Sequence, residues 1–318
     1  MSKVVLITGI GGDISQGVAT ILKENRPDLY LIGIDIHSQH GGHLFVDQFF
    51  LVPPAADKKY LESIKDIVRK NSVEIVIPMS ELELAVTRNF AEITPGVKWI
   101  TAGDRVVSVG LDKYKTANAL VELGLPIPWT KLVSDGCPDE FPCILKSRTG
   151  SGSRTVFTVS DIEDAEYLTK RYPDAIFQEL LEPANREITC AVYRRSDGDV
   201  FTLLMLRRLT GGFTGWAKVI SDKETMQMCE VIAKGLDLNG SMNIQLRLTD
   251  RGPRVFEINP RFSSTVLMRH RLGFSDLLWA IEEAEDKLIN FPDIPENKLM
   301  VRTQEALVYQ DNNIGIFE

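Results

Sequence analysis

The first residues have a strand, turn and helix pattern that sets the organisation of the N-terminal third of the chain. Residues 3–8 are an apolar run, Gly9-Ile10-Gly11-Gly12 is a tight turn, and the segment that follows has apolar residues on one helical face. Further apolar runs lie at 30–36 and at 73–77, the second after a helical pattern. Strands that alternate with helices are joined by right-handed crossovers, so this part is predicted to form a parallel sheet covered by helices.

The pattern changes after residue 110. A helix is predicted from 111 to about Leu123, because Gly124 suits a helix C-terminus and two prolines follow it. Another helix is predicted from the N-cap Asp161 to about Arg171. Longer alternating runs favour an antiparallel sheet. They lie at 187–194, 200–207, 242–248 and 254–259, and a helix is predicted after them at 275–288.

The predicted fold class is therefore α/β, with a parallel-sheet N-terminal domain followed by two α+β lobes. The domain boundaries follow the changes of pattern. They are 1–110 for a Rossmann-like domain, 111–178 for a small lobe and 179–318 for a C-terminal lobe.

Charge and composition argue against several classes of partner. Thirty-six basic against 44 acidic residues leave a net charge of −8, which opposes attraction to nucleic acid or to an anionic membrane. The four cysteines lack the spacing of a zinc knuckle or a redox dithiol and are typical of free thiols in a reducing cytosol. Because the first apolar run is too short for a signal peptide or a membrane span, a cytoplasmic protein is predicted.

The glycine-rich turn has three interpretations. A helix N-terminus preceded by glycines can bind an anion, and Asp35 stands where a ribose-binding acid stands in a dinucleotide fold. The third position of the G-x-G-x-x-G pattern is Ile14, which weakens the case for NAD. The turn could instead face a substrate, or simply pack the strand against the helix.

A second candidate for phosphate binding is Lys146 with the Gly/Ser-rich loop 147–154 that follows it. A lysine at the end of a buried strand can reach a nucleotide phosphate, and backbone N–H groups of such a loop can close over the phosphates. Ser153 is the loop residue that we assign to the nucleotide. The alternative is a solvated hairpin, and the segment is not a GxxxxGK[ST] loop.

Two consecutive strands near the C-terminal end have polar faces. The first carries Gln245, and the second carries Glu257, Asn259 and Arg261 at alternate positions. A hairpin would gather Gln245, Glu257 and Asn259 into an oxygen-rich cluster with Arg261 beside it. Mg²⁺ prefers such ligands and takes only one or two carboxylates from a protein. The pattern therefore predicts a magnesium site, and the alternative is a solvated sheet face.

Together these segments resemble the ATP-grasp superfamily, and most closely the ATP-grasp halves of carbamoyl phosphate synthetase large subunits and their single-unit relatives. The resemblance covers nearly the whole chain, and its most specific element is Glu257-Ile258-Asn259-Pro260-Arg261. It implies a pre-ATP-grasp domain at 1–110 and a two-lobed ATP-grasp fold after it. The implied enzyme is an ADP-forming ligase that makes a carbon–nitrogen bond with ATP and Mg²⁺ (or Mn²⁺) as cofactors.

The resemblance also implies roles for individual residues. Lys113 matches the first basic contact to the nucleotide, and Lys146 matches the second. Glu179 and Leu181 match the contacts to adenine, and Glu187 is expected near the ribose or a phosphate.

Gln245, Glu257 and Asn259 match the metal ligands of the family, and two features depart from its pattern. The first ligand position is a glutamine, which places less negative charge on the metal than the carboxylate of many relatives. The loop at 147–154 is also less glycine-rich than in the synthetase.

The implied mechanism needs no side-chain nucleophile. A substrate carboxylate attacks the γ-phosphate, Lys146, Arg261 and the metals neutralise charge, and an amine or ammonia then displaces phosphate. The expected partners are small carboxylates and amines, with a symmetric homodimer as the default assembly. Arginine pairs hold carboxylates well, which favours a substrate site across 207–208, 263–265 and 269–271, and the alternative is that these are surface charges.

Two other functions remain open on the sequence. One is an NAD(P)-dependent oxidoreductase that uses the glycine-rich turn, and the missing third glycine argues against it. The other is a catalytically silent nucleotide sensor, and the presence of both lysines and all three metal ligands argues against that.

Overall fold

The computed structural model describes residues 2–87, 90–150, 155–303 and 306, which include three β-sheets. The strands are β1 Lys3–Ile7, β2 Leu29–Asp35, β3 Gln48–Leu51, β4 Ile75–Ile77, β5 Lys98–Trp99, β6 Thr130–Leu132, β7 Cys143–Ser147, β8 Val156–Val159, β9 Ala175–Glu179, β10 Glu187–Arg194, β11 Val200–Thr210, β12 Phe213–Ile220, β13 Gly240–Thr249, β14 Gly252–Asn259 and β15 Leu299–Val301. The helices are α1 Asp13–Asn25, α2 Tyr60–Lys70, α3 Glu81–Val86, α4 Phe90–Ile93, α5 Asp104–Gly110, α6 Lys113–Glu122, α7 Ile162–Arg171, α8 Lys223–Gly235, α9 Val266–His270 and α10 Asp276–Ala284.

The N-terminal sheet is parallel and has the strand order β3-β2-β1-β4-β5. Its strands are apolar on both faces because helices cover both, as parallel sheets require. On one face Ile64 and Val68 of α2 pack on Leu6 of β1. On the other, α1 packs through Val18 and Leu22. The predicted parallel sheet is confirmed.

The small lobe is a four-stranded antiparallel sheet of order β6-β9-β7-β8. Helix α7 covers it through Ala165 and Leu168. The side chain of Asp161 accepts a hydrogen bond from the Asp164 N–H at 3.0 Å, so the predicted N-cap of this helix is confirmed.

The C-terminal lobe is a six-stranded antiparallel sheet of order β14-β13-β10-β11-β12-β15. One face packs on α8 through Cys190, Ile244 and Ile232. Part of the other face packs on α1, α9 and α10 through Tyr193 and Met205. The rest of that second face, toward the start of β10, carries polar side chains.

Glu285 ties this lobe to the N-terminal domain. It accepts hydrogen bonds from Lys3 Nζ at 3.1 Å and from Arg26 Nη2 at 2.9 Å, and its side chain is 6% exposed. Burial alone would raise the pKa of Glu285, but the bonds from Arg26, Lys287 and Lys3 outweigh burial and hold it at about 2.

The predicted α/β class, with a parallel N-terminal sheet and two further lobes, is confirmed. The domain boundaries stay predictions, and so does the cytoplasmic location. Within the described ranges, no helix combines the length and hydropathy needed to cross a membrane. The last predicted helix is shorter than expected, since α10 ends at Ala284 and Asp286 follows with a positive φ of 57°.

Candidate active site

The β13–β14 hairpin carries the residues predicted to bind metal. Gln245 is paired with Glu257, and Asn243 is paired with Asn259. Side chains of directly opposed residues lie on the same face of a sheet, with their Cβ atoms about 5 Å apart. The structure thus brings Gln245, Glu257 and Asn259 together, with Asn243 as a fourth polar neighbour that the sequence did not single out as a ligand.

A β-bulge sets this arrangement. Leu246 is paired with Val255, so Phe256 is an extra residue between that pair and the next. Val255 packs in the apolar core against α8. In a regular strand Glu257 would lie on the same face as Val255. The bulge therefore turns Glu257 away from the core and onto the polar face.

The side chains of this cluster fit a hard divalent cation. Glu257 supplies a carboxylate, while Gln245 and Asn259 supply amide oxygens, which suits a Mg²⁺ ion that keeps water and phosphate oxygens as further ligands. Asn243 accepts a hydrogen bond from the Thr189 hydroxyl at 2.7 Å. The amide nitrogens of Asn243 and Asn259 are buried without partners among the described residues. Those residues contain no group of three or more His, Cys, Asp or Glu that could hold a metal instead.

Lys146 brings a buried positive charge to this hairpin from β7. Its ammonium donates to the Phe256 carbonyl at 3.1 Å and lies 5.4 Å from the centre of that residue's ring. Burial lowers the pKa of Lys146 to about 8, and the charge of Lys113 adds to the lowering, whereas the carboxylates of Glu257 and Glu187 oppose it. An anion at this position would compensate the charge of Lys146.

Lys113, the first residue of α6, lies beside the loop after β7. Its ammonium donates to the Gly150 carbonyl at 2.8 Å, and its backbone N–H donates to the Arg148 carbonyl at 2.9 Å. Arg148 in turn pairs with Asp112 at 2.8 Å, and Asp112 caps the helix. The start of α6 is therefore tied to the start of the loop. Ser153, the loop residue assigned to the nucleotide, lies outside the described residues.

Glu187 lies between two arginines. Arg207 Nη2 donates to one carboxylate oxygen at 2.7 Å, and Arg247 Nη2 donates to the other at 2.7 Å. Arg207, which is 9% exposed, also donates to Gln245 Oε1 at 2.8 Å. The sequence assigned Arg207 to the substrate, but here it holds Glu187 and Gln245. The pairing of Glu187 with Arg247 across β10 and β13 positions this network, and the sequence alone does not give that register.

Glu179 and Leu181 lie where the small lobe passes into the C-terminal lobe. The Glu179 N–H donates to the Trp129 carbonyl at 2.9 Å, and the Glu179 carboxylate pairs with Arg251. The Leu181 carbonyl accepts from Arg247 Nη1 at 2.7 Å. The crossing segment is therefore fixed to the β13–β14 hairpin by two arginines.

Arg261 follows the hairpin but does not continue its polar face. β14 ends at Asn259 and Pro260 follows, so the alternation of the strand does not extend to Arg261. Its guanidinium donates to the Phe262 carbonyl at 3.0 Å and to Glu81 Oε1, on α3 of the N-terminal domain, at 3.2 Å. The predicted contact of Arg261 with the transferred phosphoryl group stays a prediction.

The predicted substrate site at 263–265 and 269–271 is wrong for Arg269, Ser263 and Thr265. Arg269 is fully buried and forms a two-pronged ion pair with Asp276 at 2.9 and 2.7 Å. The hydroxyls of Ser263 and Thr265 each accept from its Nη1 at 2.9 Å. These side chains satisfy a buried arginine and are not available to a ligand.

The polar end of the C-terminal sheet thus combines carboxylate and amide oxygens with the ammonium groups of two lysines. Hard oxygen ligands bind a divalent cation, and lysines neutralise phosphate. Such a set suits a nucleotide whose phosphates bridge a metal and two cations.

Family models match most of the chain. An ATP-grasp domain model matches residues 111–265, and a model of the PylC-like N-terminal domain matches residues 5–100. Among curated relatives, the carbamoyl-phosphate synthase of Methanobrevibacter smithii is 24% identical over 188 residues, or 56% of this chain. The carbamoyl phosphate synthase large chain of Thermoplasma acidophilum is 25% identical over 262 residues, or 73% of this chain. The matched parts span 47% and 24% of those two proteins.

Solved structures agree on the fold. The ADP complex of PurK, an N5-carboxyaminoimidazole ribonucleotide synthetase, has a TM-score of 0.76 at 17% identity and covers 94% of this chain and 81% of its own. The biotin carboxylase domain dimer of the Hydrogenobacter thermophilus 2-oxoglutarate carboxylase, with MgADP, has a TM-score of 0.74 at 17% identity, covering 93% and 73%. An L-amino acid ligase from Bacillus licheniformis has a TM-score of 0.71 at 18% identity, and the match covers 90% of this chain and 75% of the ligase. The chain therefore contains an ATP-grasp domain at residues 111–265, preceded by a PylC-like N-terminal domain at residues 5–100.

Proposed function

We propose that the chain is an ATP-dependent carboxylate–amine ligase that acts through an acyl phosphate. The observation that carries this proposal is the buried ammonium of Lys146 against the hairpin that carries Gln245, Glu257 and Asn259. Burial lowers the pKa of Lys146 to about 8, and lysines with a lowered pKa are concentrated at functional sites. A nucleotide phosphate supplies the missing negative charge.

The nucleotide binds where the small lobe meets the C-terminal lobe. Lys113 and Lys146 neutralise the phosphates, with Ser153 contributing from the loop between β7 and β8. The segment containing Glu179 and Leu181 receives adenine. Glu187 stands near the ribose, although arginines hold both of its oxygens.

Gln245, Glu257 and Asn259 would hold Mg²⁺ (or Mn²⁺). The metal, when bound, supplies positive charge to the phosphates. The hydrogen bond from Arg207 to Gln245 Oε1 leaves that amide oxygen one further lone pair for a ligand. The MgADP in the biotin carboxylase domain structure supports this choice of cofactors.

The reaction transfers one phosphoryl group from ATP to the carboxylate and then forms one amide-type bond. A substrate carboxylate oxygen attacks the γ-phosphorus, the bond to the ADP oxygen breaks, and the acyl phosphate forms. The lone pair of an amine or of ammonia then attacks the acyl carbon, inorganic phosphate leaves, and the nitrogen loses a proton. Arg261 offsets charge on the transferred group, for which it must release Glu81.

The substrates belong to the class of small carboxylates and amines. The names of the relatives support this breadth, since they include a carbamoyl-phosphate synthase, a ribonucleotide synthetase and an L-amino acid ligase. Assembly as a homodimer is part of the proposal, and the dimeric biotin carboxylase domain supports it. Neither nucleic acid nor a membrane takes part.

The test is a screen of carboxylate and amine pairs for Mg²⁺-dependent ADP release. The wild-type chain is compared with Glu257→Gln and with Asp250→Asn, a matched control whose side chain is 92% exposed in the turn of the same hairpin. ADP release that needs both substrates and is lost only in Glu257→Gln supports the ligase. Stabilisation by NAD(P) with no response to Mg-ATP would instead support the oxidoreductase, and ATP binding without turnover on any pair would support the sensor.

A further inference from the structure

A cavity of about 850 Å³ lies at the carboxyl edge of the N-terminal sheet. Its floor is the glycine-rich turn after β1 together with Asp35 and His40, and its rim includes Ile36, Leu51 and Leu82. These three apolar side chains are 45%, 61% and 68% exposed. A polar floor under an exposed apolar rim is typical of a ligand site, and none of the residues assigned to ATP or metal lines this one.

The charges of the cavity disfavour an anionic ligand. Among the described residues that line it there is no Lys or Arg, and the acidic side chains are Asp35 and Glu83. The backbone N–H of Gly11, which an anion would need, already donates to Asp35 Oδ2 at 2.8 Å. Glu83 is occupied internally, because Thr8 and Tyr60 donate to its two oxygens at 2.5 and 2.7 Å. Each oxygen of Asp35 accepts one backbone N–H, from Gly11 at 2.8 Å and from His37 at 3.1 Å, and keeps a further lone pair, so Asp35 is the acid that can meet a ligand.

His40 supplies a hydrogen-bond donor beside that acid. Its Nδ1 accepts from the Gly42 N–H at 3.0 Å, which leaves the proton of the neutral ring on Nε2. Nε2 is buried without a partner among the described residues and lies 4.0 Å from Asp35 Oδ2. Phe49 contacts the ring edge-on at 5.4 Å and fixes it. Gly11 allows the close approach, since a Cβ there would lie 2.6 Å from the His40 ring.

A hydroxyl can bridge the acceptor Asp35 Oδ2 and the donor His40 Nε2, which lie 4.0 Å apart. An oxygen about 2.8 Å from each atom can accept from Nε2 and donate to the carboxylate. A ligand ammonium cannot accept a hydrogen bond, so it would leave Nε2 unpaired. A ligand phosphate or carboxylate would be repelled by the negative charge of Asp35. We infer that this cavity binds a neutral polyhydroxyl compound, a sugar or a nucleoside, through a hydroxyl held between Asp35 and His40. The site lies outside the proposed nucleotide site and is independent of the ligase proposal.

The test measures binding by titration calorimetry with Mg²⁺ and a non-hydrolysable ATP analogue at saturation, which keeps the probes out of a nucleotide site. The probes are D-ribose, uridine and 2′,3′-dideoxyuridine. Uridine or ribose should bind, and dideoxyuridine should bind about ten- to a hundredfold more weakly than uridine, because a hydrogen bond to a charged group is lost. Absence of binding by both ribose and uridine would overturn the proposal.

Variants separate the floor from the rim. Asp35→Asn and His40→Phe should each weaken the hydroxylated probes about tenfold or more and remove the preference over dideoxyuridine, while the exposed control Asp66→Asn should bind as wild type. Leu82→Ser changes only an exposed rim residue. If Leu82→Ser lowers the affinity for uridine and not for ribose, the base packs on the rim and the ligand is a nucleoside. If this variant binds both probes with equal affinity, the site is assigned to a sugar. Unchanged binding in a folded Asp35→Asn would refute the assignment, whatever the outcome for ATP.

Discussion

Raising the pH from 7 to 9 should weaken nucleotide binding about tenfold through Lys146. The buried ammonium has a pKa of about 8, so it is roughly nine-tenths protonated at pH 7 and roughly one-tenth protonated at pH 9. Only the protonated form neutralises a phosphate. If binding needs that form, the apparent affinity follows the protonated fraction.

The assay is isothermal titration of Mg-ADP at pH 7, 8 and 9 on wild type, Lys146→Arg and Lys146→Met. An arginine stays charged over this range, so Lys146→Arg should show little pH dependence whatever its absolute affinity, and Lys146→Met should bind weakly at every pH. If Lys146→Arg loses affinity for Mg-ADP with pH as wild type does, a group other than Lys146 causes the loss. If the wild-type affinity does not change with pH, the contact between Lys146 and phosphate is refuted.

The lowered pKa of Lys146 also means that this residue destabilises the fold at neutral pH. A lysine whose folded pKa lies below its ordinary 10.5 destabilises the fold below pH 8, where it is charged in both states, and this cost disappears as the pH rises from 8 to 10.5. Lys146→Met should therefore raise the free energy of unfolding at pH 7 by about 1–3 kcal/mol, and the gain should fall toward zero near pH 10.5. A variant that is less stable than wild type at pH 7 would show that the burial cost is overestimated.

Four further perturbations test separate parts of the account. Glu257→Gln should abolish Mg²⁺-dependent ADP formation without lowering the melting temperature, and normal turnover would refute the metal assignment. Arg261→Lys should lower turnover about ten- to a thousandfold with little change in ATP affinity; equal losses would place the arginine on the bound nucleotide. Glu285→Gln should cost about 1–3 kcal/mol at pH 7, and its deficit should shrink as the pH falls from 4.5 toward 2, where wild-type Glu285 becomes protonated. Arg269→Met leaves Asp276 buried without its partner and should lower the free energy of unfolding in chemical denaturation by about 3–5 kcal/mol, whereas replacing a surface arginine should lower it little.

Most of the fold was predictable because its strands and helices follow local periodicity. The parallel sheet follows from apolar runs that alternate with helical patterns, and the antiparallel lobe follows from period-two alternation. The sequence interpretation missed β12 and α8, although Asp222 caps α8 with a hydrogen bond to the Thr225 N–H at 2.8 Å. An aspartate before a helical pattern is a signal that the sequence does contain.

The polar face of the β13–β14 hairpin was predicted for a reason that is only partly correct. Alternation alone places Glu257 on the same face as Val255, which packs in the core. The extra residue Phe256 moves Glu257 to the face of Gln245. Nothing in the local pattern marks a bulge, because it depends on the register with the partner strand.

Long-range pairings set the other limit. The Arg261–Glu81 ion pair spans 180 residues and joins two domains, and Arg207 reaches both Glu187 and Gln245 from a separate strand. Charge and spacing identified these residues as important but could not assign their partners. Such contacts depend on how the sheets pack, which no local window of sequence contains.

Transfer of oxygen from the carboxylate to phosphate tests the proposed acyl phosphate most directly. The carboxylate that supports ADP release is labelled with ¹⁸O in both oxygens, and the inorganic phosphate is examined by mass spectrometry after turnover with the amine. The acyl-phosphate account predicts one ¹⁸O in each phosphate released, in equal number to the ADP formed. Unlabelled phosphate released together with the amide product would contradict it, because the carboxylate oxygen would then not have attacked the γ-phosphorus.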